Sequence, residues 1–284
     1  MRRSTFLGFS SASIVAMAGL MLVPLLLTIW LSLNRITFRG DFLFTGLTNY
    51  QDVLEDGDFW TALSFTLIVC AVTIPAKLAI GFLIALALNR IAPGIRGGFI
   101  ACALLPFIVT PVVGTLAFSW LFRDFGVVSY WLGLAGIKIY WLSSELTARS
   151  LVLLHFIWSG TPFAIIVLFA GLQAVPKDEL EAAVMDGASR WYRVRHIVIP
   201  HCRSLFVFLG LMMTMDAYRI FDSIAVMTKG VNGTESVMFY NYRVAIVQNS
   251  LTRGAAVSIL TVVGILVLLL PLLRATYLEQ RQAR

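Results

Sequence analysis

Apolar residues occur along this chain in long uninterrupted blocks, not at the spacing of a half-buried helix or strand. No charged residue occurs from Ser4 to Asn34, Gly97 to Phe122, Ser150 to Pro176 or Gly254 to Leu273. Each block reaches the roughly 20 residues a helix needs to cross hydrocarbon. A fifth, Phe59 to Asn89, is interrupted by Lys77 alone. A sixth starts at Ser204, meets Asp216, Arg219 and Asp222, and ends near Thr228. The pattern predicts an all-α membrane protein with six transmembrane helices, one membrane domain over residues 1–284.

Composition agrees. With 59% hydrophobic and 13% charged residues, and mean hydropathy +0.86, the chain is too apolar for a soluble domain, whose apolar share stays near half. Orientation follows from the 22 basic residues. With the N-terminus in the cytoplasm, the short inner segments hold twelve, among them Arg2, Arg3, Arg90, Arg96 and Arg284. The longer outer segments hold eight, among them Arg39, Arg123 and Arg253. The denser positive charge places both termini inside. Basic residues edge the spans and no RNA- or DNA-binding motif occurs, so the net charge of +7 implies no nucleic acid. Arg2-Arg3 before an apolar run resembles an export signal, but that run exceeds the roughly 7–15 residues of a signal's apolar core, so it is expected to stay in the membrane. Cys70, Cys102 and Cys202 lack metal-ligand spacing and read as small packing residues.

The first outer loop, Arg35 to Asp58, carries Asp41, Asp52, Glu55, Asp56 and Asp58. The second, Arg123 to Arg149, has apolar residues at helical spacing and predicts an amphipathic helix at the interface, with Trp131, Tyr140 and Trp141 at headgroup level. Asn232-Gly233-Thr234 fits a glycosylation pattern but reads as a turn. Neither a G-x-x-x-x-G-K-[ST] loop, H-E-x-x-H nor G-x-S-x-G occurs. No catalytic residue or metal site is read, and any ATP hydrolysis belongs to another chain.

Between the fourth and fifth spans lies a polar island, "EAAVMDGASRWYRVRHIVIP", Glu181 to Pro200. Pro176 opens a helix, and Asp178, Glu179 and Glu181 place negative charge where the helix dipole favours it. Ala182 and Ala183 keep one surface thin, and Gly187 lets the chain leave helical geometry. A second piece, Ser189 to Ile197, carries Arg190, Arg193 and Arg195 toward headgroups or solvent. Residues 176–200 thus predict a cytoplasmic helix-turn-helix with a face suited to docking. Asp186 either pairs with Arg190 or meets a partner.

Glu181-Ala182-Ala183, three residues, Gly187, nine residues and Ile197-Val198-Ile199-Pro200 resemble the EAA loop of ABC importer permeases, whose usual ending is Ile-x-Leu-Pro; only Ile199 departs. The rest of the chain is similar to the carbohydrate-importer, maltose-type branch through "GLTNY" (Gly46 to Tyr50), "DFW" (Asp58 to Trp60), "RGGFIACALLPFIVTPVV" (Arg96 to Val113), "WSGTPF" (Trp158 to Phe163), "AGLQAVP" (Ala170 to Pro176), "FDSIAVMT" (Phe221 to Thr228) and "RGAAVS" (Arg253 to Ser258). The resemblance implies the type I ABC importer permease fold with a cytoplasmic EAA coupling helix in the bacterial inner membrane. It implies a second homologous permease subunit, two ATP-binding cassette subunits that bind ATP and Mg, and an extracytoplasmic solute-binding protein. Lipid surrounds the chain, which itself carries no cofactor. Glu181, Ala182, Ala183, Asp186 and Gly187 are then ATPase-coupling residues, with Glu181 meeting a basic side chain in the ATPase cleft. The solute is a carbohydrate: an oligosaccharide, a polyol or a sugar-phosphate-like molecule.

Asp216, Arg219 and Asp222 are spaced i, i+3, i+6, so on a continuous helix they share one broad face. At 1.5 Å per residue, Asp216 falls about 18 Å into the span. Such charges cost roughly 2.5–3.5 kcal/mol each at a helix centre unless they face protein or water. They are substrate-binding candidates that offer hydrogen bonds to hydroxyls, with Tyr218 or Phe221 as the aromatic plane; an internal salt-bridge ladder is the alternative. Arg219 is less typical of the family and is the candidate for tuning specificity. Lys77 pairs with one of these acids or snorkels to water, and His155 reads as a satisfied packing residue. An ion-gradient-driven secondary transporter is the rival function. It predicts inverted repeats, and the two halves show none.

Overall fold

The computed structural model describes residues 3–37 and 40–282. In order they form α1 (Arg3–Ser32), strands β1 (Asn34–Ile36) and β2 (Phe42–Phe44), α2 (Thr48–Leu54), α3 (Gly57–Arg90), α4 (Pro93–Ile108), α5 (Pro111–Phe122), α6 (Val127–Leu134) and α7 (Glu145–Gln173). Then follow α8 (Lys177–Met185), α9 (Arg190–Arg193), a π-turn at Val194–Val198, α10 (Ile199–His201), α11 (Arg203–Tyr218), α12 (Asp222–Met227), α13 (Val237–Tyr242), a π-turn at Arg243–Val247 and α14 (Leu251–Gln282). Six segments are long and apolar enough to cross a membrane: Ser13–Ser32, Gly57–Arg90, Pro111–Leu134, Glu145–Gln173, Arg203–Met227 and Leu251–Pro271. Arg2, Arg39 and Arg284, which enter the orienting charge count, lie outside the described residues.

The third crossing is not the single rod expected from Gly97 to Phe122. The chain breaks at Val109 and Thr110, both extended, with ψ 135° and 142°. Pro111 has no backbone N–H, and its ring disfavours helical geometry at the preceding residue.

Two compact units make up the chain: residues 1–60 with 240–264, and residues 61–239 with 265–284. In the first, the short β1–β2 hairpin follows α1, and "GLTNY" secures the helix end. Asn49, buried, donates from Nδ2 to the carbonyls of Ser32 and Asn34, 2.8 Å each, and the Tyr50 hydroxyl shares a 2.7 Å bond with Ser32 Oγ. The acids between Arg35 and Asp58 are largely paired. Arg35 meets Asp52, Arg243 meets Asp58 at 3.0 Å, and Arg253 donates to Asp56 at 2.6 Å. The Tyr240 hydroxyl donates to the same Asp56 oxygen at 2.7 Å. Burial pushes the Asp56 carboxyl up, but the Tyr240 hydroxyl, the Asp58 N–H and the Arg253 and Arg243 cations outweigh it and hold it below its ordinary range.

In the second unit α7 is the central element. Its N-terminus carries a capping box between Ser144 and Thr147. Its N-terminal half packs Val152 and Phe156 with Phe65 and Val69 of α3, Tyr218 of α11 and Ile224 of α12. Its C-terminal half packs Ala164, Leu168 and Leu172 with Phe82 of α3 and Leu209 and Met213 of α11. In addition α4 packs on α7, and α12 on α5. The sequence places Trp131, Tyr140 and Trp141 at headgroup level as exposed anchors; α6 and the segment after it keep Trp131 and Tyr140 exposed, with Trp131 inside the Pro111–Leu134 segment. Trp141 departs from that expectation: its ring packs edge-on against Phe122, centroids 5.1 Å apart, beside the buried trio Phe118, Leu151 and Met227. Asn232 and Gly233 form a turn, with Asn232 donating to the Leu142 carbonyl at 2.6 Å and Arg149 to the Gly233 carbonyl at 2.8 Å.

Asp56→Asn removes the charged acceptor shared by Arg253 and Tyr240 and should cost about 2 kcal/mol at neutral pH, the range for hydrogen bonds to charged groups. The thermal unfolding midpoint in detergent reads this. The folded carboxyl titrates below its unfolded value, so its contribution is present at neutral pH and lost as pH falls through the folded value. The gap between wild type and variant should therefore close in acid; a widening gap contradicts the clasp.

Candidate functional site

Helix α11 ends at Tyr218. Arg219 (φ −98°, ψ 16°) and Phe221 (φ −137°, ψ −56°) leave helical geometry, and α12 begins at Asp222. This corrects the expectation of one helix face for Asp216, Arg219 and Asp222. The break frees the Ile220 carbonyl, which accepts a 2.6 Å hydrogen bond from the buried Ser236 hydroxyl. In hydrocarbon an unpaired carbonyl has no water to turn to, so such a donor is required. Asp222 starts the new helix, where the dipole favours an acid.

By bending the chain, the break gathers the charges. Asp216, Arg219, Phe221 and Asp222 line one cavity of about 250 Å³ with Phe107, Thr115, His155, Trp158, Ser159 and Ser223. Tyr218 does not join them. It is 2% exposed and belongs to the core with Phe65, Val69 and Phe156, so the aromatic surfaces at the cavity are Phe221, Trp158 and Phe107. The Asp216 side chain is 68% exposed, and Lys77 Nζ lies 3.9 Å from its Oδ2. Lys77 is 1% exposed and sits 3.4 Å from the centre of the Phe156 ring, so it pairs inside the bundle and does not snorkel.

His155 is a satisfied buried residue, as the sequence suggests, and it also shapes the cavity wall. Nδ1 lies 2.9 Å from Ser223 Oγ and Nε2 3.3 Å from Thr115 Oγ1. The Phe118 ring meets the imidazole edge-on at 5.0 Å. A single side chain thus ties α5, α7 and α12 together.

The segment between α7 and α11 folds as a helix, an elbow and a second helical piece. Asp178 and Glu179 occupy the first turn of α8. At its end Gly187 takes φ +76°, in the left-handed region. The Ala188 N–H bonds the Ala183 carbonyl at 2.9 Å, and the Gly187 N–H bonds the Val184 carbonyl at 3.0 Å, the double bond of a Schellman cap. Two residues on, Ser189 Oγ accepts from the Tyr192 N–H at 3.2 Å and caps the next piece. Glu181, Ala182, Asp186 and Gly187 are exposed and Ala183 is half-buried. Apolar side chains accompany them at the surface: Met185 is 87% exposed, and Val184, Trp191 and Tyr192 are exposed too. Among the described residues no ion pair joins Asp186 to Arg190. Arg193 is half-buried and Arg190 and Arg195 are exposed; Arg190 and Arg193 line a cavity of about 460 Å³ with Leu86, Asn89, Arg90 and Leu180.

Broken apolar helices around a charged cavity, with an exposed, doubly capped segment between two crossings, define a membrane transport subunit. Residues 56–284 match the family described as binding-protein-dependent transport system inner membrane component, and the chain belongs to it. It is 33% identical over 261 residues to the trehalose transport system permease protein SugA of Mycobacterium tuberculosis, an alignment covering 91% of this chain and 84% of that one. It is 32% identical over 252 residues to the trehalose/maltose transport system permease protein MalF of Thermococcus litoralis, covering 86% and 84%. A solved bacterial ABC transporter involved in the import of the acidic polysaccharide alginate contains a chain that superposes with TM-score 0.83 at 20% identity, over 100% of this chain and 97% of that one. The likeness shows the type I ABC importer permease fold.

Sequence reasoning passed over Thr115, Trp158, Ser223 and Ser236. Thr115, Trp158 and Ser223 are uncharged residues inside a span and give no contrast with their neighbours, Ser236 lies in the segment between α12 and α13, and only the tertiary arrangement singles them out. Ser223→Ala leaves the buried His155 Nδ1 without its partner and should cost about 1–3 kcal/mol, read as a lower unfolding midpoint in detergent. An unchanged midpoint would show that the bridge adds nothing.

Proposed function

We propose that this chain is one of two permease subunits forming the membrane pathway of an ATP-driven, binding-protein-dependent importer for a carbohydrate. The observation that carries the reading is the cavity, where an exposed acid, a guanidinium, a second acid and aromatic planes meet at a break in a crossing helix. Asp216, Arg219 and Asp222 exchange hydrogen bonds with solute hydroxyls, while Phe221 and Trp158 face the apolar C–H surface of a sugar ring. The names of the relatives support a carbohydrate: trehalose for SugA, trehalose and maltose for MalF.

The chain performs no chemistry itself. Two ATP-binding cassette subunits bind ATP and Mg and hydrolyse the nucleotide, a second permease completes the pathway, and an extracytoplasmic solute-binding protein delivers the sugar. A solved alginate transporter in complex with an alginate pentasaccharide-bound periplasmic protein supports that last partner. Both termini and residues 176–200 face the cytoplasm. Glu181, Ala182, Ala183, Asp186 and Gly187 enter the ATPase cleft, and the exposed Met185 and Trp191 add apolar contact there. Closure of the ATPase pair moves α8, the motion continues through the π-turn into α11, and access to the cavity alternates between the two sides.

Glu181→Lys should leave the complex able to hydrolyse ATP but unable to couple hydrolysis to uptake, measured as the ratio of transported sugar to phosphate released in proteoliposomes. A normal ratio sinks the coupling assignment. Arg219→Ala should alter which solutes compete for uptake while the amount of purified complex stays the same. Reduced complex with an unchanged ranking of competitors would instead make Arg219 a structural tie.

A further inference from the structure

We propose that Lys77 is a positioning residue that holds the Asp216 carboxylate in the orientation in which it meets the solute; this rests on the reading of Asp216 as a solute contact. Lys77 stands in α3, which runs through the second crossing, and is enclosed by protein. Its path exists because residue 160 is glycine. A Cβ there would lie 2.6 Å from Lys77 Nζ, 2.7 Å from Cε and 3.2 Å from Cδ. The face of Phe156 then holds the ammonium at 3.4 Å from the ring centre, a cation–π contact.

The pair with Asp216 is asymmetric. The cation is fixed and enclosed, and the carboxylate stands on the open side. At 3.9 Å the two groups are beyond hydrogen-bond reach, and the attraction is screened on the open side of the carboxylate only, because the ammonium itself is enclosed. The carboxylate is therefore drawn toward one fixed point and keeps its acceptor sites available. Asp216 also borders two cavities, the one of about 250 Å³ that contains Arg219 and Asp222 and an adjoining one of about 270 Å³ that contains Lys77. The buried ammonium faces Oδ2 from the second of these cavities, and fixing that oxygen leaves Oδ1 for the solute in the cavity of Arg219 and Asp222. Uncompensated, a lysine in this setting would be costly, which argues against an accident of packing.

The test uses the complete complex in proteoliposomes with its solute-binding protein and radiolabelled trehalose and maltose as probes. Lys77→Met keeps the apolar stem and removes the charge. Gly160→Ala keeps the charge and displaces it, because the obstructed atoms are the far end of a flexible side chain. Both should raise the KM for uptake about tenfold, the order expected for weakening one hydrogen bond to a charged group, with a smaller change in maximal rate. In an Asp216→Asn background neither should raise KM further. Equal factors in both backgrounds overturn the proposal alone, as does a loss seen only as less assembled complex with the wild-type KM. An Asp216→Asn complex with the wild-type KM contradicts the assignment of Asp216 and the proposal together.

Discussion

A helix interrupted within hydrocarbon must find a donor for each carbonyl it frees, and this demand organises the second unit. Ser236 answers it for Ile220 at 2.6 Å, and Ser236 is itself held by its surroundings. The neighbouring Val237 N–H donates to Thr66 Oγ1 of α3 at 2.9 Å, and Thr234 Oγ1 donates to Thr228 Oγ1 at 2.8 Å just past the end of α12. The turn at Asn232 and Gly233 is pinned in turn by Leu142 and Arg149. The cavity thus depends on the loop after α12, whose residues do not line it.

The same logic governs the walls. Thr115, His155 and Ser223 come from three helices and satisfy one another, so the polar residues beneath the cavity need no solute to complete them. The exposed groups at the cavity, Asp216, Arg219 and Asp222, are of a different kind. A crossing helix tolerates such charges only where protein or water receives them, and the pathway between two permease subunits proposed above would provide that setting. A satisfied frame with exposed charged side chains is what a site needs if the solute is to be held and then released.

Much of this architecture is legible in the sequence because hydrocarbon imposes simple rules. Six crossings follow from length and apolarity, and a charged residue within a span is conspicuous. Helix α8 is legible from Asp178, Glu179 and Gly187, whose roles are local. What stays hidden has distant causes. Nothing at Arg219-Ile220-Phe221 is a helix breaker; the break is stabilised by Ser236, sixteen residues away. Prolines mislead in the other direction: Pro75, Pro106 and Pro162 lie inside continuous helices, whereas Pro93 and Pro111 each open a helix after an extended residue. Periodicity also fails to separate Tyr218 from Phe221, since an aromatic next to a cavity and one within the core carry the same local pattern. Trp141 turns inward for the same reason, drawn by Phe122.

The elbow at Gly187 has a mechanical meaning. Its two cross-bonds reach back to Ala183 and Val184, and Ser189 begins the next helical piece at once. A glycine turn without such bonds would absorb displacement, as slack in a linkage does. This one closes its own hydrogen bonds, so under the proposed coupling it would act as a bell crank, a rigid corner that changes the direction of a push. Compliance would then fall to the π-turn at Val194–Val198, where one extra residue per turn loosens the helical ladder, and the stroke delivered to the membrane would be set there.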